Sequence, residues 1–525
     1  MPRSNTKCLK TGVLIIGAGV TGCGLARDLS LRGISCILVE RADVNAGASG
    51  GNHGLLHSGA RYVASDPAAA AECQAENQLL KMLAPQCIEN TGGLFVAVDG
   101  DDVNYVADFP GLCERFGIDA EPLDAAEARA AEPALSEKII AAFKVNDAAI
   151  DPFKLSLENI AHARQHGALF LPSHQAVAFD CRKHRVQAVH LADSKTGLRT
   201  KIEVDFVVNA SGAWAGEVAA LAGVQLPMIY SKGSLLVTQS RMAGRVINRL
   251  RRPTDGDILV PGGTVSILGT TSVRIESPSD FRPTVEEVDQ IISEGAVLIP
   301  ALENTRFIRA YSGIRPLRDA PAADDDRSVS RGFALIDHAA NGVDNFATIT
   351  GGKLTTYRLM AEKTADFICR RFGTPRPCRT KIVPLPVTSE GRWTEPGLAP
   401  RVWLRNRNPD DIILCDCEMI PRSVVDSIVK DICNQGLRPN LKTIGLRSRI
   451  GKGPCQGAFC SARVTAHLYD QGRLEARHGI AGLKNFLDAR WRGQKPLMWG
   501  SPLIQAELQE AMYCGLLGLE LEDVS

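Results

Sequence analysis

Short apolar runs alternate with helical, one-sided stretches along the first half of this 525-residue chain. Val13–Ile16 is an apolar run of strand character. It is followed by a helical pattern from Val20 to Leu31 with Leu25 and Leu29 on the apolar side, stopped by Gly33. A second strand, Cys36–Val39, ends on Glu40. Further on, Cys73–Ala84 and Asp124–Pro133 read as helices and Gly93–Val98 as a strand. Asp151–His166 is an amphipathic helix with Phe153, Leu157, Ile160 and Ala161 on one side, and Ala168–Leu171, Arg185–Ala192 and Lys201–Val208 read as strands. From Tyr230 to Arg331 the pattern changes to short strands broken by Gly and Pro, namely Leu235–Thr238, Ile258–Val260 and Val265–Gly269, with one helix at Thr284–Leu298. Phe346–Thr350 is again an apolar strand, and a helix runs on through Phe372.

Strand-helix alternation predicts a doubly wound α/β domain, and the broken stretch predicts a mainly antiparallel sheet inserted into it as a roof over a pocket. The predicted parts are an α/β half at about 1–65, 150–230 and 330–375 with a cap at about 66–149 and 231–329. Seven prolines between Pro375 and Pro409 mark a boundary, so 376–409 is expected to be a linker. Beyond it, 410–465 forms a small unit with helices at Arg422–Cys433 and Asn440–Leu446, and 466–525 a tail. In that tail Ile504, Leu508, Met512, Leu516 and Leu519 make an apolar stripe, fit either to dock a partner or to pack on its own domain.

The first strand feeds Gly17-Ala18-Gly19-Val20-Thr21-Gly22, a G-x-G-x-x-G turn. Its glycines permit a tight turn, close approach of backbone to a pyrophosphate and close helix–strand packing. The helix N-terminus holds phosphate, and Glu40, 18 positions past Gly22, falls where a carboxylate accepts from ribose hydroxyls. The loop from Ala46 to Val63, rich in Gly, Ser, His and Asn, is expected to lie against the same ligand. A strand that stops at Asn209-Ala210-Ser211-Gly212 leaves room for a bulky planar group. Gly351-Gly352-Lys353-Leu354-Thr355-Thr356 offers a second strand-to-helix cradle.

Lys plus Arg number 60 and Asp plus Glu 59, so nothing in the charge balance points to nucleic acid. No apolar run approaches the 18 or more residues of a membrane span, and neither an anchor nor a signal peptide is expected. The basic group Arg245, Arg249, Arg251 and Arg252 reads first as a solvated surface, with attraction of an anionic substrate the open alternative. Of 15 cysteines, four stand in two close pairs, Cys415 with Cys417 and Cys455 with Cys460. Two thiolate pairs flanking a helical unit suit an iron-sulfur cluster of the 2Fe-2S type. Zinc and uncoordinated cysteines remain open, although the one-residue gap of the first pair disfavours zinc.

These motifs, together with Asn52-His53-Gly54-Leu55-Leu56-His57-Ser58-Gly59-Ala60-Arg61-Tyr62, Lys232-Gly233-Ser234, Tyr311-Ser312-Gly313-Ile314-Arg315-Pro316-Leu317 and Thr350–Arg358, resemble the FAD-dependent glycerol-3-phosphate dehydrogenases. The cysteine module resembles bacterioferritin-associated ferredoxin and is similar to that of the family's anaerobic, three-subunit type. It departs from the common ferredoxin pattern in the four residues inside its second pair. The resemblance implies a Rossmann-like FAD domain of the glutathione reductase/D-amino acid oxidase type. FAD would be held by Gly17, Ala18, Gly19, Thr21, Gly22, Glu40, Arg41, Ser49, Asn52, His53, Gly54, Val177, Gly212, Gly352, Lys353, Leu354, Thr355 and Thr356. Arg61, Tyr62, Arg315, Arg331 and Lys353 would hold substrate, with Arg61, Arg315, Lys353 and His57 in the chemistry. His57 reads equally as a base and as a histidine packed for structure.

The implied reaction is oxidation of glycerol 3-phosphate to dihydroxyacetone phosphate, with electrons passed through partner subunits B and C to a quinone at the cytoplasmic face of a bacterial inner membrane. FMN in the assembled complex is left open. Two other readings stay in view, a flavin amine or imino-acid dehydrogenase of the same fold and a non-catalytic electron-transfer subunit. Cations at a flavin edge argue against the second.

Overall fold

The computed structural model describes residues 7–194, 196–279, 281–317 and 332–519. Arg331 lies outside them. Strand β1 (Lys7–Ile16) enters the turn to helix α1 (Val20–Leu31), and β2 (Cys36–Glu40) returns parallel to β1. Helix α2 (Pro152–Gln165) leads to β3 (Leu169–Pro172), which pairs parallel with β2. On the other side of β1 lies β4 (Arg199–Asn209), also parallel. The carboxyl half of β4 pairs parallel with β5 (Phe346–Gly351), which runs on towards helix α3 (Tyr357–Arg371). The antiparallel hairpin 174–193 extends the edge through the amino half of β4.

Val13–Ile16 of β1 and Cys36–Val39 of β2 are buried, which is why these stretches are continuous apolar runs rather than alternations. α1, α2 and α3 cover one face of this sheet with a core that includes Val13, Ile15, Leu25, Leu29, Leu157 and Ile160. Close packing is set by small residues: a Cβ on Gly24 would stand 2.8 Å from the ring of Tyr357, which is fully buried. Each interior Leu or Ile in such a core contributes on the order of 2 kcal/mol from removal of apolar surface from water.

A nine-stranded, mainly antiparallel sheet forms the roof. It contains the expected strands between 229 and 317, and also Gly93–Val98, Glu121–Leu123 and Ile139–Val145 from earlier in the chain. Arg249 and Arg251, expected on a solvated surface, instead sit in an ion-pair network at the hairpin between Val246–Arg249 and Ile258–Gly262. Asp257, six positions past Arg251, supplies one acid, but Asp101 and Glu294 come from far along the chain, where sequence proximity gave no sign of the pairing.

The proline-rich stretch is ordered against the rest. The Leu385 amide donates to the Leu83 carbonyl at 2.7 Å, and Arg164 pairs with Glu390 at 2.9 Å. Trp393 and Ala399 enter the core of a helical unit built from Arg422–Asn434, Leu441–Leu446, Cys460–Asp470, Ala476–Gln494 and Ser501–Leu517. Leu483, Phe486, Leu487, Trp491, Cys514 and Leu519 belong to the same core, so the tail and the cysteine-bearing segment pack as one body. That body docks on the α/β half through a buried Arg447–Asp43 pair at 3.0 Å, and the Lys452 ammonium lies 5.3 Å from the centre of the Phe153 ring. Within the final helix, Ile504, Leu508, Met512 and Leu516 remain exposed, as does Trp499 before it. Among the described residues no helix is long and apolar enough to cross a membrane.

Candidate active site

The glycine turn is built by steric necessity. Gly17 has φ of 110°, and a Cβ on Gly22 would lie 1.9 Å from the Gly17 carbonyl oxygen, so no larger residue lets α1 start where it does. The Ser49 hydroxyl reaches across from the next loop and accepts from the Val20 amide at 3.0 Å, which ties that loop to the helix N-terminus. Glu40 accepts from the Ala18 and Ala42 amides at 3.0 and 2.9 Å. Burial pushes its carboxyl pKa up, against the pull of those two amides and of Arg41. The Arg41 guanidinium stacks 4.1 Å from the Trp214 ring centre.

These groups share a cavity of about 990 Å³. That is at the upper end of the roughly 300–1,000 Å³ typical of small-molecule sites, room for a dinucleotide-sized group. Gly17, Gly19, Thr21, Glu40, Arg41, Ser49, Asn52, His53, Val177, Gly212, Gly352, Lys353 and Leu354 all line it. Ala18, Gly22, Gly54, Thr355 and Thr356 are not in the wall, although the resemblance placed them on the cofactor. Gly22 and Ala18 shape the turn, and Thr355 is fully buried with its hydroxyl accepting from the His57 amide at 3.0 Å.

The same cavity gathers Arg61, Tyr62, His57, Arg315 and Lys353, which are spread over nearly 300 positions of sequence. Arg315 projects from the long strand Phe307–Leu317. It passes over Gly233 so closely that a Cβ there would stand 2.4 Å from Nη2. Its guanidinium donates to the Thr271 carbonyl at 3.1 Å and to the Thr270 hydroxyl. Gly313, two residues earlier, presses on the Gly51 loop, where a Cβ would meet the Gly51 oxygen at 2.0 Å. The Tyr311 hydroxyl donates to the Asn52 carbonyl at 2.8 Å, fixing the roof strand to the cofactor loop. Lys353 Nζ lies 4.7 Å from the centre of the Tyr62 ring, and the Tyr62 hydroxyl lies 3.4 Å from His57 Nε2. Arg61 donates to buried Asp257 at 3.2 Å through Nη2, while among the described residues its buried Nη1 and the buried hydroxyl of cavity-lining Thr350 have no protein partner. Orphaned polar atoms at a cavity wall fit a polar ligand.

Sequence reasoning left Trp214, Thr270 and Asp257 out of the site, and quoted Gly233 and Tyr311 only inside motifs, without a role. For Trp214 the signal was its closeness to Gly212; Thr270 and Asp257 act through contacts across the fold.

The four cysteines stand together in the helical unit. Cys415 and Cys417 Sγ are 3.8 Å apart, and Cys417 and Cys455 Sγ 3.6 Å. Cys460 stands beside Cys415. Gly453 is needed there, since a Cβ would lie 2.5 Å from Cys417 Sγ. Among the described residues no group of three or more His, Cys, Asp or Glu has a metal-holding arrangement as it stands. The donor set itself, four thiols on two short segments, one leaving the strand Ile413–Cys415 and one entering the helix Cys460–Asp470, has the chemistry of a cluster or zinc site.

A glycine turn at a helix N-terminus, an acidic strand end and a dinucleotide-sized cavity roofed by an antiparallel sheet define a flavin-dependent oxidoreductase. Residues 12–366 match the FAD dependent oxidoreductase family. The chain belongs to that family and, within it, to the A-type polypeptides of anaerobic glycerol-3-phosphate dehydrogenase. It is 42% identical to the A-type polypeptide of that enzyme from Escherichia coli K12, with 97% of each chain covered. It is 35% identical to the A1-type polypeptide of Haloferax volcanii over 96% of this chain and 90% of that one. Among solved structures, the glycerol-3-phosphate dehydrogenase from Bacillus halodurans complexed with FAD superposes with a TM-score of 0.63 at 20% identity, covering 95% of this chain and 97% of that one. L-proline dehydrogenase from P. horikoshii superposes with 0.58 at 21% identity, covering 71% and 96%. At such identities these two show the fold alone.

Proposed function

We propose that the chain oxidises glycerol 3-phosphate to dihydroxyacetone phosphate with FAD. The observation that carries this reading is the convergence of Arg61, Arg315 and Lys353 on the cavity that the glycine turn also lines. A phosphate dianion needs cationic donors, and arginine's planar fork matches its geometry. Arg61 and Arg315 hold the phosphate. Lys353 faces the carbinol oxygen: as an ammonium it stabilises the charge that develops there while the carbinol proton leaves to His57, and as a free amine it takes that proton itself. Bound FAD supplies the acceptor for the hydride leaving the secondary carbon.

Gly17, Gly19, Thr21, Glu40, Arg41, Ser49, Asn52, His53, Val177, Gly212, Gly352 and Leu354 are the FAD residues supported by their place in the wall. The four thiols are read as the ligands of a 2Fe-2S cluster, which takes electrons singly where the flavin takes a pair. Partner subunits B and C, a quinone at the membrane and FMN in the complex belong to the same reading. The exposed apolar row Trp499, Ile504, Leu508, Met512 and Leu516 supports a docked partner.

Anaerobic mixing of the FAD-loaded protein with a panel of reductants tests the assignment. Glycerol 3-phosphate is expected to bleach the flavin, and L-proline and glycine to leave it oxidised. Bleaching by the amino acids alone would replace the reading with an amine dehydrogenase. No bleaching by any of them would leave an electron carrier.

A further inference from the structure

The basic stretch at the tip of the roof hairpin has a role at the cavity. The Arg249 amide donates to the Asp257 carbonyl at 2.9 Å, closing the turn, and Asp257 is 1% exposed. Its carboxylate accepts from five donors. Oδ1 takes Arg251 Nε and Nη2 at 3.0 and 2.8 Å and the Thr254 hydroxyl at 3.1 Å. Oδ2 takes the Thr254 amide at 2.6 Å and Arg61 Nη2 at 3.2 Å. Arg251 continues to Glu294 at 2.7 Å, and Arg249 joins Glu294 at 3.0 Å and Asp101 at 3.0 Å. Three arginines and three acids thus form one ladder ending on Arg61, and Pro253 and Ile258 of the same turn line the cavity.

We infer that Asp257 is a positioning residue for phosphate: it fixes the Arg61 fork through Nη2 so that the guanidinium, whose Nη1 has no protein partner among the described residues, is preset at the cavity wall for the phosphoryl group of the substrate. A lone guanidinium in a half-closed cavity would fold back on any carbonyl in reach. One carboxylate edge neutralises it in the resting site and holds its plane, and the other ladder members keep that carboxylate from swinging. Binding of phosphate then costs little rotamer entropy on the protein side. The inference deepens the glycerol 3-phosphate reading and rests on it.

The test is a double-mutant cycle on FAD-loaded protein, with KM and kcat for glycerol 3-phosphate and the Kd of inorganic phosphate read from flavin absorbance. Asp257→Asn is expected to raise KM and the phosphate Kd at least about tenfold, with kcat changed much less. In an Arg61→Ala background the same substitution should add under twofold, because the arm it positions is gone. Effects that multiply, or a fall in kcat with KM unchanged, would overturn the inference. Should Asp257→Asn fail to take up FAD, Arg251→Gln, which keeps the carboxylate, carries the same cycle with a smaller KM effect. If wild-type flavin is not reduced by glycerol 3-phosphate, the functional reading has failed; if it is reduced and the cycle is additive, only this inference has.

Discussion

The flavin cavity and the cysteine site of the same chain are built on opposite plans. The cavity wall draws on segments from Ile16 to Met360, and few of its contacts are local. Its cations come from a helical turn at Arg61, a roof strand at Arg315 and a strand-to-helix turn at Lys353. The cysteine site uses two short segments, a strand end and a helix start with the turns beside them, and the gap of 37 residues between Cys417 and Cys455 is filled mainly by two helices. A site of the first kind exists only when the whole fold does, so its failures are all-or-none in geometry and graded in chemistry. A site of the second kind can be emptied without disturbing its neighbour.

That contrast breaks most sharply at Arg315. Arg315→Ala is expected to remove about 3–5 kcal/mol of interaction with the phosphate, a loss of kcat/KM of at least a hundredfold, with FAD retained. Flavin loss together with activity would mean Arg315 holds the fold rather than the ligand. Next is the joint between the two regions. Arg447→Ala leaves Asp43 buried without its ion-pair partner, and about 3–5 kcal/mol of stability should go, read as a lowered thermal transition. An unchanged transition would mean the two bodies are not coupled there.

Cys455→Ser should abolish the visible absorbance and reduced-state paramagnetism of an iron-sulfur centre, or the bound metal by elemental assay. Flavin reduction by glycerol 3-phosphate should change less than twofold, because the cluster lies after the hydride step. A large loss of flavin reduction would show that the sites are not separable.

The smallest effect is one of pH, confined to the α/β half. His162 accepts from Arg27 Nε at 3.0 Å, and burial with the positive Arg27 and His166 beside it lowers its pKa to about 4. Its folded value lies below the unfolded 6.5, so the unfolded chain takes up the proton first as pH falls. Stability should therefore decline on acidification from about pH 6.5 towards 4, and His162→Gln should flatten that slope in thermal melts.

Legibility in the sequence followed the same division. The glycine turn, Glu40, the Ser49–His53 loop and the two cysteine pairs are local patterns, visible because strand, turn and helix signals sit beside the functional residues. Arg315 and Lys353 were readable through their motifs, since Gly313 and Gly352 mark close approaches. Asp257 was not readable, because an acid in a hairpin turn looks like any turn acid until Arg61 arrives from 196 positions away. Arg249 and Arg251 looked like a surface patch for the same reason. The helical tail was hard to join to the cysteine unit because its buried positions, such as Leu483, Phe486 and Trp491, are separated by charged residues. Arg331 remains outside the described residues.

Cations gathered over a flavin cavity select a phosphorylated alcohol, and everything else in the account depends on that selection. Stopped-flow reduction of wild-type and Arg315→Ala protein by glycerol 3-phosphate under argon, at matched FAD content, tests it most directly. Rapid saturable bleaching of the wild type and almost none in the variant is the expected result. Equal bleaching of the two, or a wild-type flavin that stays oxidised, would contradict it.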